Sequence, residues 1–507
     1  FGFTEAELER QKKDLIRLLE RAYTEREKQD SSLFAAEYIR NFLAGEPIPG
    51  ITYEYELHKH WLPQIKLSEI NRLADSWMTE KNRVITVSAP EKEGLTLPSE
   101  EELAAVLSRV KDMDLEPYAE EITEKPLLSR IPISGTVTRI SRREDLGIKE
   151  WTLSNGIRVI LKPTDFQEDE IVFRAFSPGG TSLASDEDFI PASTAVQVIG
   201  AGGLGDFPAV DLEKKLAGKA AFASPFISDL EEGLRGSASP KDLETMFQLI
   251  YLTFTAPRAD AAIFDVTKTR LKAVLENRRR SPEIVFMEPL QSILGQNHLR
   301  NQPLTVDMLD RMDLKKSLEF YKDRFADAGD FTFIFVGAID LDAIKPLAER
   351  DLASLPALNR RESWRDVGIE SPAGVVKKIV KNGTEPKTLV AIVFTGAFDY
   401  TAAHRLEIRG ACEVLQNRLR KLLREDLSGT YGVGVGPSYS KFPEEEYSIS
   451  ISFGTNPDRV EELTAAVFSE IARMKAEEPS EEEIKDFREA EFRDFETNVK
   501  KNSWLLV

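Results

Sequence analysis

Arg424 and Tyr431, seven positions apart in Arg-Glu-Asp-Leu-Ser-Gly-Thr-Tyr, put a guanidinium and a phenol on one short stretch of chain. A guanidinium fork and a phenol can each donate hydrogen bonds to a carbonyl oxygen. The stretch joins a helix predicted over about 403–426 to a strand predicted from Tyr431 to Val435. A plainer reading has Arg424 satisfying a helix end and Tyr431 packing at a strand start. The run Gly200-Ala-Gly202-Gly203-Leu-Gly205 matches G-x-G-x-x-G, whose glycines let a pyrophosphate approach a helix N-terminus. Its context argues for a structural turn instead. Asp206-Phe207-Pro208 interrupts before the next helix, and no strand ending in an acidic ribose ligand follows at the usual distance. His58 and His60 are spaced i, i+2, so a helix would face them apart, while His298 and His404 are isolated. No H-x-x-E-H, H-E-x-x-H or G-x-S-x-G occurs in the sequence. Cys412 is the sole cysteine, which rules out an intrachain disulfide and a Cys-based zinc site; on an apolar helical stripe it reads as a buried structural thiol.

The balance of charge narrows the partners. A formal net charge of -19 opposes binding to phosphate backbones, which takes clustered Lys and Arg. Basic runs such as Arg278-Arg279-Arg280 and 418–424 belong to helices with acidic neighbours, and Arg278–Arg280 reads as a solvated helix face. No apolar run approaches the ~20 residues that cross a bilayer. At 507 residues the chain exceeds a single core, and ~150 residues per domain suggests about three.

The elements that must position these residues repeat. Trp151–Lys162 reads as two strands around the tight-turn signal Asn155-Gly156, and Ile171–Phe176 as a third. Helical stretches fill much of 208–281 and 302–326 before the buried strand Phe331–Gly337. The order restarts with Val375–Val380, Asn382-Gly383 and Leu389–Gly396. In Tyr447–Phe453, YSISISF alternates apolar and serine residues, as in an antiparallel strand covered on one side. Helices on one face of such sheets make repeated α+β sandwiches. Thr4 and Glu7 form a capping box at the first helix, and Arg83–Ser88 (RVITVS) reads as a strand. The expected divisions are 1–113 as the later part of a unit, a linker over 114–150, a complete unit at 151–357, a linker over 358–374 and the opening of another unit at 375–507. Residues 1–90 are expected to dock onto the open face of that last unit, within one chain or between chains.

With its unit order and the Arg424–Tyr431 stretch, the chain resembles the insulinase–pitrilysin family of inverted-motif zinc peptidases over essentially its whole length. The resemblance implies homologous α+β units, mostly antiparallel sheets with helices on one face, arranged in two halves around a chamber. It also implies that Arg424 and Tyr431, by spacing and location, bind the substrate backbone and help polarise the scissile carbonyl. The family's H-x-x-E-H is expected in the first helix after the opening strands of an active unit. The corresponding stretch here, PASTAVQVIGAGGLGDFP at 191–208, puts Thr194 and Val198 at the ligand positions and Gln197 at the general-base position. Valine has no donor atom, and glutamine cannot accept a proton as a base. Glu276 falls where the distal Glu ligand would be. The central unit therefore reads as a degenerate third unit, with GAGGLG as a helix-end turn. The expected function is the non-zinc-binding, C-terminal half of a zinc endopeptidase acting on peptides, inactive alone, with zinc on an upstream unit of the parent protein. The alternative is a non-catalytic chamber or interaction protein of the same fold. Acidic chamber walls suited to cationic or neutral peptides are expected from the net charge, and the resemblance favours a periplasmic or secreted location.

Overall fold

The computed structural model describes residues 2–506 apart from 78, 80, 90–93, 112, 117, 119–124 and 279. Contacts divide the chain into two compact units: 1–126 with 211–220, and 127–210 with 221–507. In the first, the described secondary structure is helical: α1 (Glu5–Thr24), α2 (Ser31–Ala44), α3 (Ile51–Trp61), α4 (Leu67–Trp77) and α5 (Glu100–Lys111). Thr4 and Glu7 form the expected capping box, and Tyr23 of α1 stacks on Tyr55 of α3 at 5.0 Å. The strand expected at Arg83–Ser88 does not form, and Val84 is 87% exposed. Its β-branched residues favour strand, but strand propensity acts only where a neighbouring strand takes up the backbone groups.

The second unit is built on a seven-stranded sheet. Its strands are β1 (Val137–Arg143), β2 (Ile148–Leu153), β3 (Arg158–Pro163), β4 (Ile171–Pro178), β5 (Ala221–Ile227), β6 (Glu231–Ala238) and β7 (Thr332–Gly337). They lie in the order β1-β2-β3-β7-β4-β6-β5, antiparallel except for β3 beside β7. Gly156, at φ 95°, makes the predicted turn between β2 and β3. Helices α6 (Phe189–Ser193), α7 (Ala195–Ala201), α9 (Leu243–Thr255), α10 (Ala261–Arg278), α11 (Pro282–Leu294), α12 (Leu314–Arg324) and α13 (Leu341–Leu347) complete this part of the chain, while α8 (Ala209–Lys215) belongs from Asp211 onward to the first unit. Ile171, Phe173 and Ala175 of β4 meet Phe333 and Phe335 of β7 and Phe247 of α9 in a dry core. The rings of Phe173 and Phe247 stack on Phe335 at 5.5 and 5.4 Å. The result is the expected α+β sandwich.

Two sequence readings are corrected here. Residues 137–150, placed in a linker, form β1 and the start of β2; VTRISRR has too little apolar alternation to announce a strand. The largely helical reading of 208–281 missed the hairpin of β5 and β6, whose strands contain Pro225, Gly233 and Gly236.

A second sheet, β8 (Thr388–Ala397), β9 (Val433–Ser440) and β10 (Glu446–Thr455), has the order β8-β10-β9 and is wholly antiparallel. Helices α14 (Ala402–Leu419), α15 (Val460–Ala476) and α16 (Glu481–Asn498) accompany it. Leu415, Leu419, Ile451, Phe453, Leu463 and Val467 form its core, as the YSISISF alternation predicted. The strand expected at Val375–Val380 is absent, and Val375 and Ile379 are 87% and 81% exposed. In the larger sheet β7 fastens β3 to β4; among the described residues this sheet has no counterpart of β7, and 375–380 joins no strand.

Residues 358–371 run as a strap without regular structure. Arg360 N donates to Asp327, Arg365 N donates to Ser182 Oγ at 2.9 Å, and Trp364 lies 5.5 Å from Phe442. Arg324, whose side chain is 3% exposed, donates to Glu362 of the strap at 3.0 Å and lies 3.7 Å from Glu232. Glu232 is 1% exposed and accepts from Gly180 N at 2.6 Å. Burial pushes its carboxyl up to about 7; Gly180 N–H and Arg324 oppose this, while Glu362 and Asp323 add to it. A carboxyl raised from 4.5 to about 7 contributes stability that is present below 4.5 and lost as pH rises through about 7. The loss amounts to about 3 kcal/mol. The melting temperature should therefore drop more between about pH 5 and about pH 8 in the native chain than in Glu232→Gln, which has no such titration. Parallel pH profiles of the two proteins would show that Glu232 carries no such load.

Candidate functional site

The helix that would carry a metal motif is broken. Thr194 sits between α6 and α7, and its hydroxyl donates to Ile190 O at 2.8 Å. Val198 is 1% exposed within the core, Gln197 is exposed, and Glu276 is exposed on α10. A buried valine, a hydroxyl spent on its own helix and a solvent-facing amide do not fit zinc. Among the described residues, no group of three or more His, Cys, Asp or Glu is placed to hold a metal ion.

The glycine run closes the end of α7. Gly203 has φ 95°, and a Cβ there would lie 2.2 Å from Phe207 O, so the chain's own packing demands glycine. Leu204 makes isolated bridges to Phe207 and Pro257, and the sheet of this unit is not doubly wound. The histidines serve local structure: His58 Nδ1 contacts Glu54 O at 2.7 Å, and His298 Nδ1 accepts from Arg300 N at 3.2 Å. Cys412 is buried, which pushes its thiol up to about 11. Arg278 pairs with Glu288 at 2.6 Å; Arg279 of the same basic run lies outside the described residues.

Arg424 and Tyr431 occupy the link between α14 and β9. The helix continues beyond Leu419 as a wider-pitched turn over 420–426, and Ser428 (φ 48°) reverses the chain. The free carbonyls at this helix end are taken by Arg459, which donates to Leu427 O at 3.1 Å and Ser428 O at 3.3 Å. Glu462 accepts from the same guanidinium at 2.8 and 2.6 Å and holds it in place. Thr455 Oγ1 donates to Gly429 O at 2.8 Å, and Gln416 bonds both Val433 O and Val435 N at the start of β9. The loop is thus fastened from both sides by other residues. Arg424 is exposed, Tyr431 is fully exposed, and among the described residues no hydrogen bond or ion pair engages either side chain. Neither fills the structural role that a helix-end arginine or a packed tyrosine would have. Arg459 and Gln416 were not singled out from sequence; their partners lie 17 to 32 residues away along the chain, and no local motif marks such contacts.

An α+β sandwich followed by a second antiparallel sheet of the same plan gives this chain a peptidase-type fold. Residues 311–490 match the family model described as "Peptidase M16 inactive domain". The chain is 27% identical over 530 residues to "Zinc protease PQQL-like" of Arabidopsis thaliana, covering 100% of this chain and 52% of that protein. It is 26% identical over 477 residues to "Probable zinc protease PqqL" of Haemophilus influenzae, covering 91% and 49%. The fold resembles the periplasmic protease PqqL of Escherichia coli with a TM-score of 0.69 at 19% identity, over 99% of this chain and 56% of that one. The resemblance to the insulinase–pitrilysin family read from the residues therefore holds, and the chain spans about half the length of the curated relatives it matches.

The donor chemistry at 194, 197 and 198 makes one outcome specific. After dialysis against a weak chelator, elemental analysis of the purified chain should find no stoichiometric zinc. Tightly held zinc together with chelator-sensitive peptide cleavage would contradict this account of the site.

Proposed function

We propose that this chain is the non-zinc-binding portion of a zinc-dependent endopeptidase, forming part of the wall of an enclosed chamber and supplying a substrate clamp at Arg424 and Tyr431. The observation that carries the reading is the freedom of these two side chains on a loop that Arg459, Thr455 and Gln416 hold in place. A rigid loop with unspent donors is what recognition of a peptide backbone requires. Zinc, held by another unit of the parent protein, would polarise the scissile carbonyl and activate water. Within this chain, Arg424 would hold backbone carbonyls of an extended peptide, and the Tyr431 hydroxyl would donate to the carbonyl oxygen as charge gathers there. The relatives named zinc proteases, and the periplasmic neighbour, support peptide substrates and a location outside the cytoplasm.

The test uses the full-length parent with a quenched extended peptide, following steady-state kinetics and thermal melts together. Tyr431→Phe should lower kcat with little change in KM, because a hydrogen bond that strengthens only in the transition state is lost. Removing one such donor costs ~3 kcal/mol, roughly a hundredfold in rate. Arg424→Ala should raise KM as well, since a guanidinium holds the peptide throughout the reaction. Both variants should melt like the native enzyme, because neither side chain is packed. Native turnover in Tyr431→Phe, or losses fully explained by melting, would overturn the clamp. A parent with no zinc-dependent cleavage at all would instead indicate a non-catalytic chamber protein.

A further inference from the structure

The face of the seven-stranded sheet turned away from its phenylalanine core has a charge opposite to that of the chain. Residues paired across antiparallel strands share a face, and side chains alternate along each strand. The register places Arg139 opposite Thr152, Arg158 opposite Thr152 and Thr332, and Lys162 opposite Val336. It places Arg174 opposite Arg235, and Arg235 opposite Ser224. With Arg143 opposite Ile148, six basic side chains stand on the face turned away from Phe173, Leu234 and Phe335. Only two carboxylates join them. Glu150 lies near Arg158 at 3.9 Å, and Glu231 pairs with Arg174. A chain of net charge -19 thus carries a basic excess on one contiguous surface.

That surface also carries rings. Phe222 is 54% exposed, and Phe176 and Phe226 are half-buried. The Arg174 guanidinium lies 5.6 Å from the Phe176 ring centre and 5.7 Å from that of Phe226. Gly233, between those two rings in the register, has no side chain to lift Phe226 off the sheet; a Cβ there would meet that ring at 2.7 Å. Arg235 is exposed, and among the described residues it has no hydrogen-bond or ion-pair partner. Arginine beside partly exposed phenylalanine suits a ligand with carboxylates and apolar side chains on one extended strand.

We propose that this face binds acidic, extended polypeptide segments carrying aromatic or aliphatic residues, and so selects acidic substrates for the chamber. The proposal rests on the chamber-wall reading above and replaces the acidic walls expected from net charge. Discrete carboxylates can reach the basic face individually. A nucleic-acid backbone, charged at every residue, would have to lie along it against the field of a chain of net charge -19.

The experiment measures anisotropy of three labelled peptides of equal length and aromatic content, one acidic, one neutral and one basic, binding to the purified chain. The acidic peptide should bind roughly tenfold more tightly than the neutral one, with the difference shrinking as salt rises from about 50 to about 300 mM. Arg235→Glu, and the milder Arg235→Gln, should erase that preference while leaving the melting temperature and the neutral peptide unaffected. Arg424→Ala/Tyr431→Phe should weaken the neutral peptide and keep the preference. Equal binding of acidic and neutral peptides, or a preference unchanged in both Arg235 variants, overturns the proposal and leaves the clamp standing. Loss of neutral binding alone in the native chain tells against the clamp and not against this face. Binding of no peptide refutes both. Displacement of the acidic peptide by an equimolar single-stranded oligonucleotide would assign the face to nucleic acid instead.

Discussion

The second unit depends on the position of β7. It comes last in its sheet along the chain, yet it lies between β3 and β4, parallel to one and antiparallel to the other. Without it the early strands β1 to β3 and the group β4, β6 and β5 would be separate ladders, each with an unpaired inner edge. Its Phe333 and Phe335 also join the rings that fill the core, so closing the sheet and filling the sandwich are one event. The smaller sheet makes the comparison within the same molecule. Among the described residues no strand of that kind is present there, and Val375–Val380, strand-like in composition, pairs with no strand.

That contrast explains what the sequence could and could not reveal. Signals complete within a few residues were legible: the capping box at Thr4 and Glu7, the Asn155-Gly156 turn, and the serine alternation around Ile451 and Phe453. Signals that need a distant partner were not. RVITVS and VVKKIV have the propensity of strands and find no ladder, while VTRISRR lacks the propensity and finds one beside β2. Strand propensity records how a side chain suits a half-buried pleated surface, and the surface is supplied by other segments. The candidate site divided in the same way. Arg424 and Tyr431 were singled out because their seven-residue spacing and helix-to-strand setting match the pattern of the family the chain resembles. That Arg459 would take the helix-end carbonyls, leaving Arg424 free, is a property of two segments meeting.

Losing a metal site changes a helix as well as a ligand set. Metal-binding side chains must face a polar, accessible space, which keeps one side of their helix away from the core. A valine at such a position, as the family alignment places Val198, favours burial by about 1.5–3 kcal/mol. Val198 lies in the core with Leu275 of α10, against which α7 packs. Thr194 turns its hydroxyl to Ile190 O at the break between α6 and α7. Restoring a histidine at 198 alone would therefore bury an imidazole without a partner, and the helix would have to rotate before it could serve a metal.

A sheet covered on one face has a second consequence. Apolar burial fixes the residues that point towards the helices and leaves the alternate residues free of packing constraints. In the larger sheet those free positions hold arginines 139, 143, 158, 174 and 235 beside phenylalanines 176, 222 and 226. Exposed arginine and phenylalanine add nothing to the core, and an aromatic ring left in water has a cost in solubility. In the smaller sheet the equivalent positions of β10 hold Ser448, Ser450 and Ser452, with Gly434, Gly436 and Ser438 opposite on β9. The two uncovered faces therefore differ in character although the sheets share a plan. Core packing alone does not call for that difference, because most of these positions lie outside the two cores.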